Sequence, residues 1–416
     1  MENNISPKLK EILTGDSYFS QPFLSTFFIN IKRLPWQEEE LRSIDQALSA
    51  YEQIEIDYQL DQLLKLHNDF LFSFAVSKAE NSQLTLLAAD EIYRLITGRK
   101  DIAPFKALSE KLDKGARLNQ KDHDRLEYYN IVQTFQSLAK KKVSLNDLSP
   151  DFIADLHRQL TLGLDIFTDK LPGFEPYHSG CFRDDDKTRV ADFKPAPPGE
   201  IKDSLIELLA WIKKNPSAIN VFIFHAALYS LQPFKNGNKR VCRVLEHLIL
   251  RDIAYNQNNL YNLSYYYYQQ KDRYYKNLIN SLYKHSFNPF VAFASEALYF
   301  SALGVIKGVL ERKKQEFINN SNLGLPAIKL LKPLVKNGEL KFSRFYALSK
   351  RKVSRQTFIN YLNEALDQQI IIKREQGRNT YYSVAGNYLE VDILKEKLKI
   401  AREKLNYLPP DLISYL

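Results

Sequence analysis

Residues 231–243 read Leu231-Gln232-Pro233-Phe234-Lys235-Asn236-Gly237-Asn238-Lys239-Arg240-Val241-Cys242-Arg243. An apolar run over 218–231 precedes this stretch and an amphipathic pattern over 239–253 follows it, which predicts a tight helix–loop–helix elbow. Pro233 stops the first helix, and Gly237 supplies a position free of Cβ clash. The amides of 236–239 then stand at a helix N-terminus, where unpaired N–H groups and the helix dipole attract anions. Lys239, Arg240 and Arg243 add three cations, the two arginines one turn apart. The arrangement predicts phosphate binding, with a salt-bridged helix start as the alternative.

Outward from the elbow, apolar residues recur at helical spacing in 61–76, 86–96, 124–139, 150–163, 201–213, 271–284 and 289–310. Ser149, Ser204 and Ser217 lie at or near the starts of such runs. The pattern stops over 164–200, a Pro- and Gly-punctuated loop or hairpin, and loops of that length inside domains are usually functional. Composition agrees with an ordinary folded chain: 44% hydrophobic and 26% charged residues exclude disorder, and 14 Gly with 17 Pro exclude collagen-like sequence. Only Cys181 and Cys242 are present, which excludes a disulfide framework. Seven scattered histidines lack metal-ligand spacing, so no zinc is expected. The first twenty residues lack a basic and then apolar leader, and Glu296 and Lys307 interrupt 289–310. The expectation is a soluble, cytoplasmic protein with no membrane partner.

Charge is concentrated near the end of the chain. Of the net +9, an excess of eight falls in 321–386, where twelve Lys and Arg stand against four acids. The stretch 319–325 reads as a linker. Helices are then predicted over 327–336, 343–349 and 354–368, followed by strands at 370–374 and 380–384 around a basic tip. This order resembles a winged helix-turn-helix, with Arg355, Gln356 and Asn360 on the recognition helix and Arg378 on the wing. DNA is the partner such residues suit, and docking or dimerisation is the alternative use of the fold.

At the elbow the sequence resembles the Fic/Doc family, whose core motif HxFx(D/E)GNGRxxR has here the counterpart QPFKNGNKRVCR. Phe234, Gly237, Asn238, Arg240 and Arg243 match. Gly180-Cys181-Phe182-Arg183 and Pro195–Pro198 resemble the family's flap hairpin and proline turn. Arg273–Leu278 resembles its Tyr-Tyr helix, and Val76–Asn81 its inhibitory helix. The resemblance implies a mainly α fold: a Fic-type helical core, a small β-hairpin flap and a C-terminal winged helix-turn-helix. It places a helical region over 1–110, the core over 111–318, the winged unit over 319–390 and a helical tail over 391–416.

The resemblance also implies a nucleotide site built from Phe234, Lys235, Asn236, Gly237, Asn238, Lys239, Arg240, Arg243 and Tyr274, taking ATP with Mg2+ and transferring AMP to a hydroxyl of a protein target. Three positions depart from it. The general-base histidine is Gln232, which accepts no proton, and the metal-holding acid is Asn236, a neutral and poorer ligand. The second glycine is Lys239, a residue shared with the Doc branch, whose members are kinases. His225 stands two turns before Gln232, roughly 10 Å along the helix, too far to replace the base. His178 in the flap loop is the other histidine considered for that role. In the family the inhibitory glutamate, here Glu80, pairs with the second arginine, here Arg243. The expectation is therefore retained anion binding with lost proton chemistry. The alternatives are a DNA-binding regulator that senses a nucleotide, or a Doc-like phosphotransferase. A homodimer is left open.

Overall fold

The computed structural model describes residues 15–80, 82–98, 103–141, 143–349 and 353–416, without side chains for 103–107. Asn81 of the inhibitory motif, Lys350, Arg351 and Lys352 of the basic stretch, and 1–14 of the leader reading lie outside the described residues. The chain divides into two units, Met1–Ser301 and Ala302–Leu416.

In the first unit the helical periodicities become α1 (Glu38–Glu55), α2 (Tyr58–Ser77), α3 (Leu86–Thr97), α4 (Ala103–Asp113), α5 (Gln120–Lys141), α6 (Pro150–Thr161), α7 (Ile201–Lys214), α8 (Ala218–Leu231), α9 (Asn238–Asp252), α10 (Leu263–Gln269) and α11 (Lys271–Tyr283). Helix α12 (Asn288–Asn319) begins in this unit and continues past Ser301. Helix α8 is apolar almost all round and buried at every position but Asn220, which marks it as the central core helix. It packs between α7 and α9, while α5 lies against α2, α3 and α6.

Ser149 and Ser217 cap α6 and α8, accepting from the amides of Phe152 and Asn220. Ser204 instead lies inside α7, buried with its hydroxyl unpartnered, so it is not a cap. Helices α1, α4 and α10 escaped the periodicity reading. Helix α12 is long and apolar enough to cross a membrane, contrary to the expectation from its two charges. Its Phe290, Val291, Ala294, Ala297 and Leu298 are buried in the protein core, which is the lodging of a core helix. Glu296 is satisfied there by a two-pronged contact from Arg273 and by the Tyr266 hydroxyl.

The expected β-hairpin flap is not formed. Between Gly180 and Pro198 only an isolated bridge joins Val190 and Phe193. The physical reason is that the segment spends its polar groups on the elbow. The Arg183 amide donates to the Pro233 carbonyl at 2.9 Å, and its guanidinium donates to the carbonyls of Gln232, Leu231, Asp185 and Ala196.

The second unit adds α13 (Leu325–Val335), β1 (Leu340–Lys341), α14 (Phe342–Leu348), α15 (Arg355–Asp367), β2 (Ile371–Gln376), β3 (Asn379–Val384) and α16 (Leu389–Lys404). The sheet order is β1-β3-β2, antiparallel, with Lys373 opposite Tyr382. Strand β1 is two residues long, too short for an alternation to be read in sequence. Phe345, Phe358, Leu362, Ile371 and Tyr382 join one core cluster, and Ser354 caps α15 through the Thr357 amide.

Candidate anion site at the elbow

Helix α8 ends because Gln232 turns left-handed (φ 44, ψ 63) ahead of Pro233, and α9 starts after Gly237, also left-handed (φ 80). A Cβ at Gly237 would stand 3.2 Å from His157 Nε2, so both space and backbone favour glycine there. Asn238 ties the loop: its Oδ1 accepts from the Phe234 amide at 3.0 Å, and its Nδ2 donates to the Phe234 carbonyl at 2.7 Å and to Gln232 Oε1 at 3.0 Å. Gln232 Nε2 donates to the Tyr229 carbonyl at 2.7 Å. Both ends of the residue in the base position are thus spent on the fold.

A cavity of about 520 Å³ opens at this elbow. Its wall includes Gln232, Lys235, Asn236, Gly237, Asn238 and Lys239, together with Glu80 and the loop residues Glu175, Asp185, Lys187 and Arg189. The Asn238 and Lys239 amides, the first two of α9, have no acceptor among the described residues. They form the anion-attracting end that the sequence predicts. No histidine is among the wall residues; His178 is exposed outside the wall, and His225 is buried with Nδ1 at 2.6 Å from Glu246.

The cations are less free than the sequence suggests. Glu80 pairs with Lys239 at 3.0 Å and not with Arg243, a correction to the pairing carried over from the family. The reason is local: the Tyr275 hydroxyl accepts from Lys239 Nζ at 3.1 Å and donates to the Ala79 carbonyl at 2.7 Å, which draws the lysine to the Glu80 turn. Burial works against the Lys239 charge, but Glu80 and Tyr275 more than offset it and raise its pKa. Arg243 donates to the Ala75 carbonyl at 2.9 Å and lies 4.5 Å over the Tyr274 ring. Arg240 is fully buried, 2.9 Å from Glu127 and 2.8 Å from the Tyr177 hydroxyl. Phe234, Arg240, Arg243 and Tyr274 therefore lie behind the wall and do not line it. Lys235 pairs with Asp185 at 3.1 Å.

His157 was missed in the sequence. Its ring stacks on Phe234 at 3.8 Å, Nδ1 accepts from the Gly180 amide, and Nε2 donates to the Asn236 carbonyl, each at 3.0 Å. These bonds fix a neutral imidazole, and burial pushes its pKa down to about 3. Glu127 and Tyr177 were also missed, because their partners are far along the chain and a lone acid or tyrosine in a helix or loop gives no signal.

The donor set fits phosphate better than Mg2+. Asn236 Oδ1 accepts from the Gly237 amide at 2.8 Å, so this neutral oxygen is already committed. Glu80 and Asp185 are each paired to a lysine. Of the wall carboxylates only the exposed Glu175 is outside these pairs, and one carboxylate with a committed amide oxygen makes a poor Mg2+ site.

In the second unit Arg355, Gln356 and Asn360 share an exposed face of α15, and Arg378 is exposed in the β2–β3 turn. Two neighbouring cations are neutralised locally, Arg374 by Glu339 and Lys373 by Glu375.

Residues 147–250 match the family model described as Fic/DOC family. No curated protein matches the chain. Among solved structures, a Fic family protein from Desulfovibrio desulfuricans G20 is 17% identical, with 86% of this chain and 99% of that one covered and a TM-score of 0.45. A fragment of Fic-1 from C. elegans is 19% identical over 65% of this chain and 70% of its own, with a TM-score of 0.45. A Fic domain containing signaling protein from Bacteroides thetaiotaomicron VPI-5482 is 15% identical over 65% and 97%, with a TM-score of 0.46.

Proposed function

We propose, from the match of residues 147–250 to the Fic/DOC family model, that the elbow cavity binds the phosphates of a nucleotide such as ATP with little or no transfer of AMP. The observation that carries this reading is Gln232. It holds the base position with a carboxamide bonded at both ends, beside helix amides that remain open to an anion. A general base contributes about 10²–10⁴-fold, so its absence leaves binding while removing most of the chemistry. The ligand is held by the Asn238 and Lys239 amides and by the Lys239 ammonium once Glu80 releases it.

Calorimetry with ATP, and incubation with α- and γ-phosphate-labelled ATP in parallel, test the reading. Binding without either label on protein is expected. Strong α-label on a protein hydroxyl overturns it, and γ-label alone supports the Doc-like phosphotransferase instead. Gln232→His alone is expected to restore little, because Asn236 still offers only a neutral oxygen and Lys239 still stands in the phosphate nest. Adding Asn236→Asp and Lys239→Gly is expected to give clear self-labelling from α-labelled ATP. Equal recovery by the single change means that Asn236 and Lys239 are neutral departures.

A second reading concerns the C-terminal unit. We read its element order as a winged helix-turn-helix whose α15 face, Arg355, Gln356 and Asn360, with Arg378 on the wing, meets duplex DNA. The charge excess of eight over 321–386 favours it. Fluorescence anisotropy with a labelled duplex, repeated across salt concentrations, tests it; no binding at low salt leaves docking or dimerisation as the use of this unit.

A further inference from the structure

The sequence points to one inhibitory carboxylate, Glu80. A second buried carboxylate, Glu127 on α5, stands against a different motif cation. We propose that Glu127 sequesters Arg240, holding its guanidinium behind the cavity wall until an anion of sufficient charge draws it out. This rests on the reading of the cavity as a phosphate pocket.

The pair is close but poorly satisfied. Arg240 Nη2 stands 2.9 Å from Glu127 Oε1 and donates to the Tyr177 hydroxyl at 2.8 Å. Among the described residues, Arg240 Nε and Nη1 and both Glu127 oxygens make no hydrogen bond. A guanidinium offers five donors in a rigid fork, and buried ion pairs that serve stability alone need those donors met. Here most are left over, a costly arrangement inside a protein. Burial pushes the Glu127 carboxyl up and opposes its charge, and Arg240 pulls the other way.

The place of the pair adds direction. Arg240 is the third residue of α9, directly after Asn238 and Lys239, whose amides open on the cavity. Tyr177 follows Glu175 and Pro176, which belong to the same wall. A phosphate seated on those amides would offer the guanidinium the two-pronged partner that Glu127 does not provide. A polyphosphate competes better for it than a singly charged anion does. Glu80 restrains Lys239 from one side, and Glu127 restrains Arg240 from another.

The test is calorimetry on the full chain with ATP and, separately, inorganic pyrophosphate, comparing wild type, Glu127→Gln, Arg240→Ala and the double variant. Glu127→Gln keeps the side-chain volume and is expected to bind both anions about tenfold tighter, the scale of one hydrogen bond to a charged group. Arg240→Ala is expected to abolish that gain, while costing far less in the wild-type background. Tyr177→Phe leaves the charge pair and removes only the hydroxyl, and a roughly threefold gain, again dependent on Arg240, is expected from the weaker neutral contact. This variant decides the matter if Glu127→Gln does not fold. Arg240→Ala costing as much in wild type as in Glu127→Gln overturns the proposal, since the arginine would already reach the anion. So does a folded Glu127→Gln with unchanged affinity, or Tyr177→Phe without a gain. If wild type and the variants bind neither anion, the pocket reading falls and this proposal falls with it.

Discussion

Arg240 and Arg355 both stand in the first turn of a helix, α9 and α15 respectively, where a cation can join the helix amides in holding phosphate. Arg240 is fully buried against Glu127, whereas Arg355 is exposed with its guanidinium 5.6 Å over the Phe342 ring. The same contrast holds for their neighbours. Lys239 and Arg243 are held by Glu80 and the Ala75 carbonyl, while Gln356 donates to Asn360 on an open face. The difference teaches that a buried cation must bring its own counter-group, because the desolvation cost would otherwise expel it. A cation on the surface needs none, so its pairing is optional. The motif cations inside the domain are restrained, whereas on the surface Arg374 and Lys373 are paired and, among the described residues, Arg355 is not.

The largest effect expected from this contrast is on folding. Glu127→Ala strands the Arg240 charge in the core and should cost about 3–5 kcal/mol, as removal of one partner of a buried pair does. Denaturant unfolding checks it; a loss no greater than that of Arg355→Ala erases the contrast.

Next comes pH. His157 and His247 are each held down to about 3 by burial, against about 6.5 in the unfolded chain. Below pH 6.5 the unfolded chain takes up protons that the folded chain refuses. Stability is therefore unaffected by these two above that pH and falls below it, by about 1.4 kcal/mol per unit for each until about pH 3. The Glu127 carboxyl, raised by burial, acts in the opposite sense. Unfolding at pH 7 and pH 5 should show the loss, and His157→Gln should reduce the slope; an unchanged slope means the imidazole is not buried neutral.

Glu80→Gln should strengthen ATP binding by roughly 1 kcal/mol, the worth of a partly screened ion pair released from Lys239. Identical calorimetric affinity in the variant and the parent would make Glu80 a structural contact only. The smallest effect on stability belongs to Arg355→Ala, within about 0.5 kcal/mol as for most surface changes. Its consequence is in binding instead: the salt dependence of duplex binding should flatten by about one counterion if Arg355 meets a phosphate. No change in slope moves the DNA face elsewhere on the unit.

The elbow was legible because its signals are local. Pro233 and Gly237 punctuate the chain, the apolar run over 218–231 has no polar face to expose, and Ser217 caps it. Helices α13, α14 and α15 and the two longer strands were legible for the same reason. Helix α10 was not, since seven residues are too few to show a period, whereas α1 is legible in principle through the stripe Leu41, Ile44, Leu48 and Tyr51. The hairpin flap was expected from the family resemblance, and only the carbonyls gathered by Arg183 reveal that the segment bonds to the elbow instead.

The sequence by itself determined which residues turn the chain and that an unpaired helix start follows Gly237, because backbone stereochemistry and hydrogen-bond bookkeeping act over a few residues. It also determined that no imidazole stands in the base position, since Gln232 is simply what is encoded there. Only the tertiary structure decided what each motif cation meets: Lys239 finds Glu80, Arg240 finds Glu127 and Tyr177, and Arg243 finds Ala75. Those partners lie on other helices and loops, brought together by packing of apolar faces that carry no record of the charges they enclose. Electrostatic pairing in a core is settled by that packing, and a spacing rule along one chain cannot express it.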